Sequence, residues 1–328
     1  MLIRKTITKI LVRARQWWWI GALLLVNGAL ATLYPPDGTF FRWASQHAVQ
    51  IMLCYLVLGL LLLLLRQRRL MFVSFACCAI ICMYLRRTIG AEEAFRFQYA
   101  KPTQEKIIKF AHFNTGSTDG DFERVMQTLL KQNPDVISIQ EVTPDWDAAL
   151  RALLATKYPF FKSYRRIDFG GIALFSRFPF GRIDTFEVNH LPNIIGSLRI
   201  DSLHPEVFFI SSHTVPPINT ASFKQIRTHL QAVAERVRLI NAPIFAFGDY
   251  NLAPWSSEVH NFQMQSELTD GRRLYAPETV TPTDYIFFSQ HFNCLSFNDL
   301  IDKNGNHIGV EGSYQFKSDY KNVQKTVE

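Results

Sequence analysis

The chain of 328 residues is 48% hydrophobic and 19% charged, with 5 cysteines. That length accommodates one large catalytic domain and an accessory segment, and the composition excludes a disordered or low-complexity chain. The net charge of +7 suggests nucleic acid until it is located: residues 1–100 carry 12 Lys and Arg against 3 Asp and Glu, and residues 101–328 carry 23 against 25. A phosphate-tracking domain would have a basic excess of its own, so sequence-specific DNA binding is not expected.

Three apolar runs open the chain, at about 17–34, 48–65 and 70–85. At 1.5 Å per residue the first two reach about 27 Å, close to a hydrocarbon core of roughly 30 Å. The third is shorter and relies on Arg86 and Arg87 to snorkel. The runs predict three transmembrane helices, with 1–87 as a membrane anchor, 88–105 as a linker and 106–328 as the remaining domain. Arg4, Lys5, Lys9, Arg13 and Arg15 precede the first run, and Arg66, Arg68 and Arg69 separate the second from the third. The positive-inside rule places both segments in the cytoplasm. Three crossings then carry the C-terminal domain to the outer, periplasmic side of the cytoplasmic membrane. Ala29-Leu30-Ala31 also fits a cleavage site; loss of residues 1–31 would leave two spans and the same final side. Cys54, Cys77, Cys78 and Cys82 fall in the apolar runs and Cys294 is alone, so no disulfide framework or zinc spacing is present.

Beyond Pro102, strands are predicted over 107–113, 135–140, 171–175, 207–212, 243–247, 285–289 and 294–297. Helices are predicted over 122–130, capped by Asp121, and over 145–155, 222–239 and 256–264. Helices alternate with strands, but runs of consecutive strands intervene. That pattern implies an α/β fold of two stacked sheets with outer helices. Residues 156–170, with Tyr164, Arg165 and Arg166, and residues 180–196 are expected to be loops that set specificity or solvated surface.

Polar residues terminate several of these strands. Asn114 follows the first, Glu141 the second and His213 the strand at 207–212. Asp249 and Asn251 follow 243–247, and Asp284 precedes 285–289. Strand ends on one sheet edge converge, so six residues of metal-ligand and acid/base type there form a candidate site. Singly, Glu141 could be a solvated carboxylate, His213 a structural histidine and Asp249 a turn residue or helix cap.

Phe247-Gly248-Asp249-Tyr250-Asn251, followed by Ala253-Pro254-Trp255-Ser256, resembles the motif of the endonuclease/exonuclease/phosphatase family. Gln140-Glu141, the run from Gly171 to Pro179 and Ser212-His213-Thr214 match in order, over about 106–316. The resemblance implies a deoxyribonuclease-like metal-dependent phosphoesterase domain, built as a four-layer α/β/β/α sandwich of two mixed sheets. Three preceding spans resemble a membrane-anchored bacterial branch. Glu141 would be the principal ligand of Mg²⁺ (or Mn²⁺), helped by Asn114. Asp249 would orient or deprotonate water, Asn251 would donate to a phosphate oxygen, His213 would donate to a nonbridging oxygen or serve as an acid, and Asp284 would orient or pair with a histidine. The substrate would be a phosphodiester or phosphomonoester of lipid, nucleotide, nucleic acid or sugar.

Two elements depart from the family pattern. A terminal Ser-Asp-His is expected, yet Gly312-Ser313-Tyr314-Gln315 and Ser318-Asp319-Tyr320 both lack the histidine. His307 and His291 are left to fill the gap from another backbone position. The element Thr283-Asp284-Tyr285 has tyrosine in place of histidine. These losses leave open a catalytically impaired member that acts as a binding or scaffold module.

Overall fold

The computed structural model describes residues 17–36, 38–88, 99–118, 122–272 and 282–317. The predicted cap Asp121 and the alternative motif at 318–320 lie outside them. The chain divides into two compact units, a helical one at the N-terminus and an α/β one.

The helical unit contains α1 (Trp18–Leu33), α2 (Thr39–Gln46), α3 (Ala48–Leu64) and α4 (Arg68–Thr88). Over Arg68–Arg86, 19 residues of mean hydropathy 1.7, α4 is long and apolar enough to cross a membrane. The pair α2–α3 meets that test only together, bent by 79°, and α1, with 16 residues, falls short. Each expected span holds an apolar helix, but among the described residues only one passes as a full span, or two if the bent pair counts as one, so three transmembrane helices are not confirmed. Apolar composition marks what can be buried in lipid but not where a helix stops: Trp17 and Tyr34 cap α1, and His47 breaks α2 from α3. The helices pack through small or polar contacts. Ser74 Oγ donates to the Tyr55 carbonyl at 2.7 Å. Gly59 admits the Phe75 ring where a Cβ would lie 2.4 Å from it. Leu24, Leu64 and Phe72 are exposed, so apolar surface faces outward, the reverse of a soluble bundle.

The second unit holds β1 (Ile107–Asn114), α5 (Phe122–Gln132), β2 (Val136–Gln140), α6 (Pro144–Leu154), β3 (Phe160–Tyr164), β4 (Ile172–Ser176), β5 (Phe180–Val188), β6 (Leu191–Leu198), β7 (Val207–Ser211), α7 (Thr220–Arg238), β8 (Ile244–Asp249), α8 (Ser257–Ser266), β9 (Thr269–Asp270), β10 (Asp284–Phe288), β11 (Phe292–Ile301) and β12 (His307–Phe316). One sheet has the order β11-β12-β1-β2-β4-β3 and the other β5-β6-β7-β8-β10-β9. Each is mixed, with one parallel pair, β1–β2 and β7–β8. The helices cover the outer faces: α5 and α6 bury Val125, Met126, Leu129, Leu150 and Leu154 on the first sheet, and α7 and α8 bury Ile226, Leu230, Val233, Val259 and Phe262 on the second. The expected sandwich of two packed sheets with flanking helices is present.

Local chemistry starts these elements. Pro144 opens α6, where its missing N–H costs nothing, and the Thr143 hydroxyl accepts from Trp146 N. In the strands, period-2 alternation sends one residue set between the sheets and the other toward the helices. On β1, Ile108 and Phe110 enter the inter-sheet core while Ala111 and Phe113 face the helices. Phe245 and Phe247 of β8 meet them there, with Phe110 and Phe245 rings 4.2 Å apart.

Two of the expected loops are strands. Residues 160–164 form β3, and 180–198 form the hairpin β5–β6, which pairs through β6 with β7. Gly312 to Gln315, tried as a terminal motif, lies inside β12.

Phe245 is wholly buried against Phe110, Phe292 and Tyr314. Phe245→Ala should destabilise the domain by about 3–5 kcal/mol, read as a lower midpoint in chemical or thermal unfolding; an unchanged midpoint would mean the two sheets do not share this core.

Candidate active site

The inter-sheet alternation that builds the core also delivers the site. Following β1 past Ile108 and Phe110, the same face presents His112 and then Asn114. On β2 it presents Ser138 and Gln140, on β8 Asp249 after Phe247, and on β10 Asp284 beyond Ile286. The C-terminal ends of β1, β2, β7 and β8 thus meet the N-terminal ends of the antiparallel β10 and β12 on one edge of the sandwich.

The predicted residues are brought together there. Asn114 Nδ2 donates to Glu141 Oε1 at 2.9 Å and to Asp249 Oδ2 at 3.3 Å. His213 Nε2 lies 3.8 Å from Glu141 Oε1 and 3.4 Å from Asn251 Nδ2. Asn251 also donates from Nδ2 to the Thr214 carbonyl and from its backbone N–H to Asp249 Oδ1 at 2.8 Å. Asp284 is the register partner of Asp249 across β8–β10. Glu141 and Asn251 have φ of 59° and 54°, a left-handed backbone that costs about 1–3 kcal/mol for a residue with a side chain. Both are held there by the hydrogen bonds around them.

Several participants were not singled out from the sequence. Gln140 spans the two sheets: Oε1 accepts from Asp249 N at 2.9 Å and Nε2 donates to the Ser212 carbonyl. Gly248 permits this approach, since a Cβ there would lie 1.7 Å from Ser212 O. Thr115 Oγ1 donates to the Glu141 carbonyl, and Phe169 walls the site, its carbonyl 3.0 Å from His213 Nδ1.

Of the two histidines left to fill the gap, one stands beside Asp284. His307, at the start of β12, places Nε2 2.7 Å from Asp284 Oδ2. His291 lies in the turn after β10, at the opposite end of that strand from Asp284. Gly305-Asn306-His307, opening a strand, was the available signal; Asn306 stands where the expected motif has aspartate, and its side chain donates to Asp302 in the turn.

The two aspartates titrate apart. Burial, and then the charge of Asp284, raise the Asp249 carboxyl above the usual carboxylate range; His213 and the Asn251 N–H oppose this. Burial would raise Asp284 as well, but hydrogen bonding and charge from His112 and His307 override it and hold that carboxyl far below the usual range. His307 is raised despite its burial, by its hydrogen bond to Asp284 and by the charges of Asp284 and Asp299. Carboxyl groups pushed apart in this way suit acid and base roles.

The model of the Endonuclease/Exonuclease/phosphatase family matches residues 111–313. The chain belongs to this family. Its members are hydrolases acting on phosphate esters and are generally dependent on a divalent metal. The chain's fold is similar to that of an endonuclease/exonuclease/phosphatase from Beutenbergia cavernae, at 17% identity and TM-score 0.54, covering 64% of this chain and 72% of that one. It is also similar to the human Nocturnin catalytic domain solved with bound sulfate (18% identity, TM-score 0.52, 65% and 98% covered). A third is D. rerio TDP2 complexed with single-strand DNA product (14%, 0.52, 64% and 100%). No curated protein sequence matches the chain.

The family's metal dependence can be tested against these donors. Glu141 Oε1 and Asp249 Oδ2 both accept from Asn114 Nδ2, so the two carboxylates are neighbours, and Gly116 leaves the Glu141 carboxylate room, since a Cβ there would lie 2.2 Å from Oε2. Asn114 turns its Oδ1 to Gly116 N and its amide N–H to the carboxylates, so in this orientation it holds Glu141. Among the described residues no group of three or more His, Cys, Asp or Glu could cage a metal. The set fits a hard cation such as Mg²⁺, which keeps most of its waters and takes one or two carboxylates, and not a zinc cage.

The sign of the His307 shift sets a pH test. Its folded value lies above the unfolded value of about 6.5, so stabilisation by the protonated ring is complete below that pH and fades as pH rises through the folded value. His307→Gln should lower the thermal midpoint more at about pH 6 than at about pH 9; equal losses at both would refute the charged pairing with Asp284.

Proposed function

We propose that the chain is a membrane-anchored, divalent-metal-dependent phosphoesterase whose catalytic domain works outside the cytoplasmic membrane. The observation that carries the enzymatic reading is the 2.7 Å contact of His307 with Asp284, which supplies the histidine whose apparent loss favoured an inert module. With it, the convergent set contains a carboxylate for a cation, a second carboxyl poised for a proton, and donors for phosphate oxygens.

Each side chain has a role set by its surroundings. Glu141, steadied by Asn114, would hold the Mg²⁺ or Mn²⁺. When bound, that ion neutralises charge developing on the phosphoryl group and its leaving oxygen. Asp249, buried and raised, is suited to orient a water and take its proton. Its own position is fixed by the backbone N–H of Asn251 and by Gln140 on its amide. His213 and the Asn251 amide would donate to nonbridging oxygens. His307, its proton favoured by Asp284, would add a third donor. A phosphodiester or phosphomonoester fits equally, and the lipid, nucleotide, nucleic-acid or sugar identity of its remainder is not specified by these groups.

The anchoring reading rests on the apolar, outward-facing helices and on the positive charges before residue 16 and at 66–69. The reading takes α1, the bent pair α2–α3 and α4 as three crossings, although α1 is shorter than a full span; both basic segments would then lie inside and the domain outside. Reporter fusions at Gln67 and at Lys101 test this: a periplasm-dependent phosphatase reporter should be active only at Lys101, and activity only at Gln67 would invert the topology.

The activity is tested with the full chain in detergent on bis-p-nitrophenyl phosphate, p-nitrophenyl phosphate and plasmid DNA, with and without Mg²⁺. Glu141→Ala and Asp249→Ala should each lower metal-dependent kcat/KM by about 10²–10⁴-fold. Turnover indifferent to both changes would remove the site assignment, and Mg²⁺ binding without turnover would favour the binding module.

A further inference from the structure

Beneath the site, the layer between the sheets is not apolar. His112, Ser138 and Ser211 are buried on the strand face that elsewhere carries Phe110, Val136 and Phe209. His112 Nδ1 lies 3.1 Å from Ser138 Oγ, which lies 2.8 Å from Ser211 Oγ. On its other side, His112 Nε2 lies 3.2 Å from Asp284 Oδ1. Among the described residues neither atom has any other partner. Asp284 thus has an imidazole on each oxygen, His307 at Oδ2 toward the site and His112 at Oδ1 from behind.

A buried imidazole and two hydroxyls are costly where aliphatic side chains would pack, unless each polar group finds a partner. Another buried histidine of the sandwich, His229, meets the neutral Ser212 hydroxyl and Asn193 amide oxygen. His112 meets the carboxylate that orients His307.

We propose that His112 is a positioning residue for catalysis: it fixes the Asp284 carboxylate from the interior, with its ring set by Ser138 and Ser211, so that Asp284 presents one oxygen to His307. The proposal rests on the phosphoesterase reading of the site. It makes His112, invisible to substrate, a determinant of where His307 stands and how firmly it keeps its proton. The groups facing His307 are Asp284 from β10, Asp299 from β11, whose Oδ1 is 3.8 Å from Nδ1, and the charge of Arg272. Asp249 lies opposite Asp284, and His112 acts through that carboxylate.

The test uses the full chain in detergent with two variants. His112→Leu removes the donor at similar volume, and His112→Gln can place an amide N–H near the position of Nε2. Turnover of bis-p-nitrophenyl phosphate with Mg²⁺ is followed against pH. Titration of His307 is read separately, by deuterium exchange at its imidazole C2 carbon and mass spectrometry, which needs no turnover. His112→Leu should lower kcat by about 10- to 100-fold, the range for residues that orient a functional group from behind, with KM near that of the native chain. It should also move the His307 titration to higher pH, because the Asp284 charge is no longer shared between two donors. His112→Gln should recover most of both. A kcat and titration unchanged in His112→Leu would overturn the proposal, as would a titration displaced to lower pH. Equal losses in both variants with His307 unmoved would also overturn it, reducing His112 to packing. If the native chain shows no turnover on any substrate, the functional reading fails, while the His307 titration still decides whether His112 holds the pair.

Discussion

Asp249 and Asp284 face each other across neighbouring antiparallel strands, and both are buried. Two carboxyl groups so placed cannot both be ionised without compensation. The compensation is one-sided. Asp284 receives His307 and His112, whereas Asp249 has weaker help from His213, Asn114 and a backbone N–H. One carboxyl is thereby fixed as an anion and the other is biased toward its proton. The arrangement belongs to the pair, since the charge on Asp284 is itself a cause of the shift on Asp249.

The fold makes this asymmetry possible by stacking three kinds of residue along one strand face. Aromatic side chains such as Phe110, Phe245 and Phe247 form the dry centre. His112, Ser138 and Ser211 form a polar layer above it, and Asn114, Gln140, Asp249 and Asp284 form the edge. The same two-residue repeat that brings the sheets together therefore sets the distances among the reactive groups. Gln140 ties the layer across the gap, so the two sheets cannot slide without breaking its bonds to Asp249 and Ser212.

Much of this was legible in the sequence, for a physical reason. Apolar runs such as 243–247, bounded by Pro243 and Gly248, are buried on both faces and leave an unambiguous strand pattern. The polar residues that end them consequently fall at one sheet edge. What was missed lies where that signal is diluted. The hairpin β5–β6 is half-exposed along its first strand and carries Asp184 and Glu187 among apolar residues, so it resembled a loop. β12 contains Gly309 and Gly312, which weaken a strand pattern, although Gly309 is there because a Cβ would lie 2.1 Å from the His112 carbonyl. His307 could not be told from His291 for the same reason: without the pattern of β12, neither histidine had a place on the edge. In the helical unit the apolar runs located the helices, but an apolar run reports partitioning and not whether a helix is long enough to cross, and α1 has only 16 residues.

The left-handed backbone at Glu141 has a bearing on how this chain could change. A residue with a Cβ is held there against its preference, at the position that presents a carboxylate to the cation. Glycine at 141 would relax the backbone and leave no carboxylate. Selection for heat resistance alone would press toward that exchange, and selection for turnover would resist it. Endurance and activity are in conflict at this one residue, so homologues from hot environments should gain their robustness elsewhere in the sandwich.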